Sequence, residues 1–316
     1  NDERTAPPCY QNGLRRTTGN SSRRRDPLLD SPSQPSYSLL TGRRNRRDSL
    51  AMTEQETAMN DAAYQRFNEQ FRETYQHMLA YLPEGVFWFP PLPPYFTGYP
   101  EGILWDWDQY FEAIALFYSG FPTDYIRNAV KIYLSRQKES GLIERSVPRG
   151  GGECYIKHRV HFKPFLAQMA LLCHHVDGEL NWLNKDDRYE RMKKYLVYWL
   201  KDMDVRGAGL SVWQEAGHTG MDNHYERAGE WGKEQFFCEG VDLNVYIVRE
   251  CRAMAAIAEV LKKPADKRLF LSWAKQRSDA IQRDLWNEKD GLYYDFHAIK
   301  KSRINVKYVG AFLPLW

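Results

Sequence analysis

Beyond Met52, apolar and aromatic residues recur every three or four positions. A chain so patterned can bury them only as amphipathic helices packed face to face. The run opening at 54 carries Phe67, Phe71, Tyr75, Met78 and Leu82 at that spacing, with Thr53 placed to cap the first turn. The same period links Phe162, Phe165, Met169, Cys173 and Val176, then Met192, Leu196, Trp199 and Met203, then Leu243, Ile247, Cys251, Met254, Ala258 and Leu261. With segments near 108–119, 123–137 and 266–285, the spacing predicts about seven helices, and no run alternates as a half-buried strand would. An all-α chain is expected.

The connections between these helices are long and carry Trp, Tyr, Gly and acids. Residues 83–107 hold Pro90-Pro91-Leu92-Pro93-Pro94 and lead into Trp105-Asp106-Trp107-Asp108; residues 205–239 hold Trp213, Glu215, Gly217, Gly220, Asp222, Asn223 and Trp231. Long loops inside a compact domain usually carry function, so the chemistry is expected at the end of the scaffold where they gather.

Residues 1–52 differ in kind. They are rich in Ser, Pro, Arg, Gly and Asn and too poor in apolar residues to offset chain entropy, which predicts a disordered tail ahead of a domain spanning 53–316. The first fifty residues hold ten arginines, no lysine and five acids, while the whole chain is only +3. The folded part is therefore slightly acidic, and a nucleic-acid partner is not expected for it. Ser31 before Pro32, and Ser49 after Arg46-Arg47, have the look of kinase sites, so a kinase acting on the tail is the one macromolecular partner the sequence suggests.

Five scattered cysteines, Cys9, Cys154, Cys173, Cys238 and Cys251, show no CxxC spacing. This argues against a disulfide framework and a cysteine zinc site, and favours a reducing, cytoplasmic location. The longest apolar stretch, Phe165–Cys173, is interrupted by Gln168 and falls short of the roughly 20 residues that span a bilayer, so no membrane partner is expected.

Aromatic rings beside carboxylates suit a sugar, whose apolar face stacks on Trp while its hydroxyls bond to acids, amides and arginine. Trp105-Asp106-Trp107-Asp108 and Trp213-Gln214-Glu215 have that make-up. Asp106 has an alternative reading as the cap of the next helix, with Gln109 as its capping-box partner. Gly217-His218-Thr219-Gly220-Met221-Asp222-Asn223 sets an acid in a glycine-flanked loop, which suits either a surface turn or a general acid for glycosidic cleavage. Other chemistry is disfavoured. Gly150-Gly151-Gly152 is no phosphate-binding loop, His158 and His161 or His174 and His175 lack companions for a metal, and no Gly-x-Ser-x-Gly occurs.

These segments resemble the six-hairpin, (α/α)6-barrel glycosidases, in particular glycoside hydrolase family 63 with its mannosylglycerate and glucosylglycerate hydrolases, and more distantly trehalases. Trp107-Asp108-Gln109-Tyr110-Phe111 resembles the family's Trp-Asp-Ser-x-Phe motif, whose Trp and Asp contact the sugar. Glu215-Ala216-Gly217 followed by Gly220-Met221-Asp222-Asn223 resembles the Glu-Ser-Gly-x-Asp segment that bears the acid. Arg227, Val241-Asp242-Leu243-Asn244, Gly291-Leu292-Tyr293-Tyr294-Asp295 and Phe312-Leu313-Pro314-Leu315 follow in family order, so the similarity covers about residues 86–316. Two departures stand out: His218-Thr219 lengthens the acid loop, and the family's Gln-Pro-Pro is represented only by Phe162-Lys163-Pro164, which leaves Arg159 and Lys163 weak as ligands.

The resemblance implies an all-α (α/α)6 toroid, of which about seven helices, the N-terminal part, fall within this sequence. It implies an inverting, cofactor-free, metal-free hydrolysis of a small α-glucoside or α-mannoside, with Asp222 as the acid. Trp107, Asp108, Trp213, Glu215, Asn223 and Arg227 would hold the sugar, and the general base, a Glu, would lie beyond residue 316. A trehalase-type hydrolase and a non-catalytic carbohydrate-binding half-barrel are the alternatives. The acid reading needs Asp222 to stand near Trp107 and Asp108.

Overall fold

A computed structural model describes residues 54–153, 161–230 and 236–316. The expectations for the 1–52 tail, its serines, Thr53 and Arg159 lie outside the described residues. The chain divides into two compact units, Asn1–Ala62 and Ala63–Trp316. Within the first, the described residues form the start of one helix.

Eight helices occur among the described residues: α1 Glu54–Tyr81, α2 Asp106–Tyr118, α3 Asp124–Ser135, α4 Leu166–Asp177, α5 Arg188–Lys201, the single turn α6 Tyr225–Ala228, α7 Val241–Val260 and α8 Pro264–Asp284. The seven long ones are those the periodicity predicts, and strands are confined to two-residue pairs. The fold is all-α. The period in α1 marks a helix without marking a core face, since Phe67 and Phe71 stay 62% and 60% exposed and stack along the surface with Tyr75.

Helix ends follow the local chemistry. α4 closes on Gly178, whose φ of 74° suits glycine and whose N–H bonds back to His174 O at 2.9 Å. α8 opens on Pro264, where a missing N–H costs nothing, and α7 and α8 pack along their lengths as a hairpin. The core between helices is aromatic: Tyr110 of α2 stacks on Phe165 at 4.2 Å, and Phe162 packs edge-on against Tyr133 of α3.

Two short strand pairs bring the loops together. Leu104–Trp105 pairs antiparallel with Ser146–Val147 immediately before α2 starts, and Cys238–Glu239 pairs with Phe296–His297 immediately before α7 starts. Trp213 bridges to Cys238. The first turns of α2 and α7 therefore share the end of the scaffold where the 205–239 loop runs.

One buried acid ties α7 to α4. Glu250, 1% exposed, accepts the Ala167 N–H at 2.6 Å, the Gln168 N–H at 3.3 Å and the Gln168 side-chain amide at 3.2 Å, so α7 supplies the cap that the start of α4 lacks. Burial pushes this carboxyl up to about 7, against the pull of those three donors. Glu250→Ala leaves two helix N–H groups buried and is expected to cost about 2 kcal/mol. Because the folded pKa lies above the unfolded one, the stabilisation is complete below the ordinary Glu range and fades as pH rises through about 7. Urea unfolding of both proteins at acid and alkaline pH should show the variant's deficit shrinking as pH rises; a deficit that grows with pH contradicts this account.

Candidate functional site

Asp106 sits at the first position of α2, but Trp105 is the N-cap and the Asp106 side chain does not cap the helix. It points inward. With no exposure at all, its carboxylate accepts the Lys163 N–H at 2.9 Å and the Lys163 Nζ at 3.2 Å from both oxygens, while Arg145 Nε approaches to 3.7 Å. Lys163 is equally buried, and burial draws its pKa down to about 8 although Asp106 opposes the shift. The ammonium also lies 5.7 Å from the Trp107 ring centre. The capping alternative for Asp106 gives way to an internal ion cluster, because two cations reach this carboxylate from segments distant in sequence.

The next two residues are half-buried. Trp107 sets its ring edge-on to Phe111, and Asp108 accepts the Tyr99 hydroxyl at 3.1 Å. One turn on, Glu112 accepts the Gly98 N–H at 2.7 Å, and burial raises its carboxyl to about 7. Two acids of α2 thus clamp the 97–99 strap over the helix start.

The loop bearing Asp222 rests on this surface. A Cβ at Gly220 would fall 1.8 Å from Trp107 Cε3, so only glycine permits the approach, and its φ of +82° is one that glycine alone adopts cheaply. Thr219 shapes the turn: its hydroxyl donates to Ala216 O at 2.8 Å and accepts the Met221 N–H at 2.8 Å. Arg145 donates to the Gly217 carbonyl. Asp222 and Asn223 are exposed, two and three residues beyond the contact with Trp107. Behind them Glu215 is buried, with its Oε1 3.4 Å from His218 Nε2. Burial, then the nearby His161, push His218 down to about 2, so it remains neutral at any working pH.

Trp213 and Arg227, grouped by sequence with the sugar-holding side chains, are interior, 1% and 0% exposed. The cause is Asp242, itself fully buried at the start of α7. It accepts the Trp213 indole N–H at 2.8 Å and the Arg227 Nη2, while Arg227 Nε donates to the buried Asp295. Burial alone pulls Arg227 down, but Asp242 and Asp295 outweigh it and hold the guanidinium charged. Tyr308 covers the guanidinium at 4.2 Å and donates to Asp295 at 3.0 Å. The structure thus brings Trp107 and the Asp222 loop together through Gly220, while Asp108 meets Tyr99 and Trp213 and Arg227 are buried.

Arg145, Asp242 and Asp295 carry no local signal of this arrangement. The last two fall in segments that match the family pattern, whereas Arg145 sits in an ordinary polar turn. Among the described residues no group of three or more His, Cys, Asp or Glu is arranged to hold a metal ion, and no helix is long and apolar enough to cross a membrane. A pocket of about 270 Å³ lined by Leu292, Tyr293, Lys307, Tyr308, Ala311 and Phe312 includes none of the sequence-predicted site residues.

Comparison with known proteins fits this layout. No curated protein matches the chain in sequence. Among solved structures, the GH63 mannosylglycerate hydrolase from Thermus thermophilus in complex with Tris and D-glycerate is similar with a TM-score of 0.59 at 16% identity, covering 77% of this chain and 72% of that one. The same enzyme in complex with glucose gives 0.57 at 17%, covering 70% and 67%. The neutral trehalase of Saccharomyces cerevisiae gives 0.53 at 17%, covering 77% of this chain and 58% of its own. At such identities the likeness concerns the fold, that of the (α/α)6-barrel glycosidases. Residues 99–316 match the family model described as the mannosylglycerate hydrolase MGH1-like glycoside hydrolase domain, and with more than half its length so matched the chain belongs to that glycoside hydrolase family.

Proposed function

We propose that the chain cleaves a small α-glucoside or α-mannoside with inversion, and that Asp222 is the general acid. The observation that carries this reading is the seating of the Asp222 loop on Trp107 through Gly220, two residues before the exposed Asp222, with Asp108 next to Trp107 in the chain. An acid in that position protonates the glycosidic oxygen as the bond breaks. Inversion also requires a second carboxylate roughly 6.5–9.5 Å away to activate water on the opposite face of the sugar, and Asp222 fills only the acid half of the pair.

Trp107 is the stacking platform, and Asp108 and Asn223 bond the sugar hydroxyls. Glu215, buried beside His218, is the further ligand in this reading. Trp213 and Arg227 hold the loop from below. No step calls for a metal or cofactor. The names of the similar structures, a mannosylglycerate hydrolase and a trehalase, fit a small hexoside as substrate.

Release of sugar from a panel of α-glucosides and α-mannosides, including trehalose and glucosylglycerate, tests the reading. Asp222→Asn should lower kcat by roughly 10²–10⁴-fold and leave unfolding free energy within about 0.5 kcal/mol of the parent. Retained turnover in that variant rejects the acid. Sugar binding without release from any panel member supports the non-catalytic alternative, and preference for trehalose supports the trehalase-type one. Gly220→Ala should disturb both properties. It drives a Cβ into the Trp107 ring at a left-handed φ, and chemical unfolding should show a loss of roughly 2–4 kcal/mol together with at least a tenfold drop in kcat.

A further inference from the structure

We propose that Arg145 is a positioning residue for the acid loop, tying the main chain at Gly217 to the start of α2 and so setting where Gly220 meets Trp107 on the way to Asp222. The inference rests on the reading of Asp222 as the acid.

Arg145 is locked at the carbonyl end of its own residue. Its carbonyl accepts the Asp106 N–H at 2.8 Å and the Tyr133 hydroxyl at 3.5 Å, and the next residue, Ser146, is paired with Trp105 in the short ladder. From this fixed backbone the side chain, 8% exposed, crosses Trp105 with its guanidinium 5.3 Å from the ring centre. It then reaches the Gly217 carbonyl through Nη1, leaving Nε 3.7 Å from Asp106 Oδ1. That approach is too long for a hydrogen bond.

The Asp106 carboxylate does not need this second cation. Lys163 already supplies two donors to it, the main-chain N–H and Nζ, and a fully buried charge to match. Among the described residues, the one direct hydrogen bond of the Arg145 side chain is to the loop. Breaking it leaves a buried guanidinium without a hydrogen-bond acceptor and the Gly217 carbonyl without a donor, so the bond resists opening from either side.

The tie acts over a short, stiff path. Ala216–His218 is a single 3-10 turn, Thr219 closes the following turn through two hydrogen bonds of 2.8 Å, and Gly220 then meets Trp107. Trp105, Asp106 and Trp107 are consecutive. Arg145 stacks on the first and neighbours the second, and the loop it holds packs on the third, so all three contacts read one register. A planar guanidinium suits this, because it keeps one face on an indole while its edge donates in a fixed direction; an ammonium supplies charge without that geometry.

The test pairs kinetics with amide hydrogen exchange on Arg145→Lys and Arg145→Met in the full protein. Loss of the tie should lower kcat about 10²-fold, as a misplacement of roughly 1 Å does, with KM changed less than about threefold, and Arg145→Lys should recover less than a tenth of the loss. Amides of residues 217–222 should exchange at least tenfold faster in both variants, while those of α4 and α7 keep their rates. Exchange unchanged at 217–222 overturns the proposal even if Asp222 proves to be the acid. Full rescue by Arg145→Lys, or a loss confined to KM, overturns it as well. If the parent hydrolyses no glycoside, the exchange readout alone still decides whether Arg145 holds the loop, and the failure belongs to the acid assignment.

Discussion

The buried pairing of Arg227 with Asp242 and Asp295 is the constraint on which the functional end of this fold depends. One guanidinium with no exposure lies between two carboxylates from different segments: Asp242 at the start of α7, and Asp295 beyond the Leu292–Tyr293 strand. Neither acid is spent on arginine alone. Asp242 also takes the Trp213 indole and the Leu243 N–H at 2.7 Å, and Asp295 takes the Val241 N–H at 2.7 Å and the Tyr308 hydroxyl. Burial pushes the Asp295 carboxyl up, and the opposing pull of Arg227 offsets part of that shift. Removing the arginine would strand two acids out of water, at a cost of about 3–5 kcal/mol by analogy with broken buried pairs. Such a cluster contributes less to net stability than to fixing which segments must meet.

What it fixes is the 213–229 loop. Trp213 near its start and Arg227 near its end both bond to the same Asp242, so the loop leaves and returns at one point above α7. A second ion cluster, Asp106 with Lys163 and Arg145, grips it midway at Gly217. Between Gly217 and Arg227 the chain turns outward, and Asp222 and Asn223 are exposed there. A long loop held at three points has little freedom left to lose when a ligand binds, which is the condition for placing one carboxyl group accurately.

The sequence reading and the structure agree where the signal is local. Helical spacing depends on neighbours three and four residues away, and all seven predicted helices form at the positions expected. Boundaries differ only where tertiary contacts take over, as at α5, whose first turn from Arg188 precedes the apolar run from Met192. Trp107 and Asp108 fall in the first turn of α2, half-buried, where the motif puts them. Burial of Trp213 and Arg227 is not legible: a Trp beside Glu looks the same whether it walls a cleft or bonds to Asp242, 29 residues further on. Asp106 misleads for a related reason. Its Asp-x-x-Gln pattern has the form of a capping box, but Lys163, 57 residues away, competes for the carboxylate and wins, since a buried cation with two donors binds it more strongly than a helix N–H.

The two ion clusters also explain why the scaffold buries so much charge beneath an exposed loop. An apolar interior of similar volume would be at least as stable, but apolar contacts are non-directional and would let the loop slide along α2. Each charged contact has a direction. Asp106 is fixed by the start of its own helix, Asp242 by the start of another, and both helix starts are set by ladders only two residues long. The position of Asp222 is therefore referred to two rigid helices through guanidinium groups.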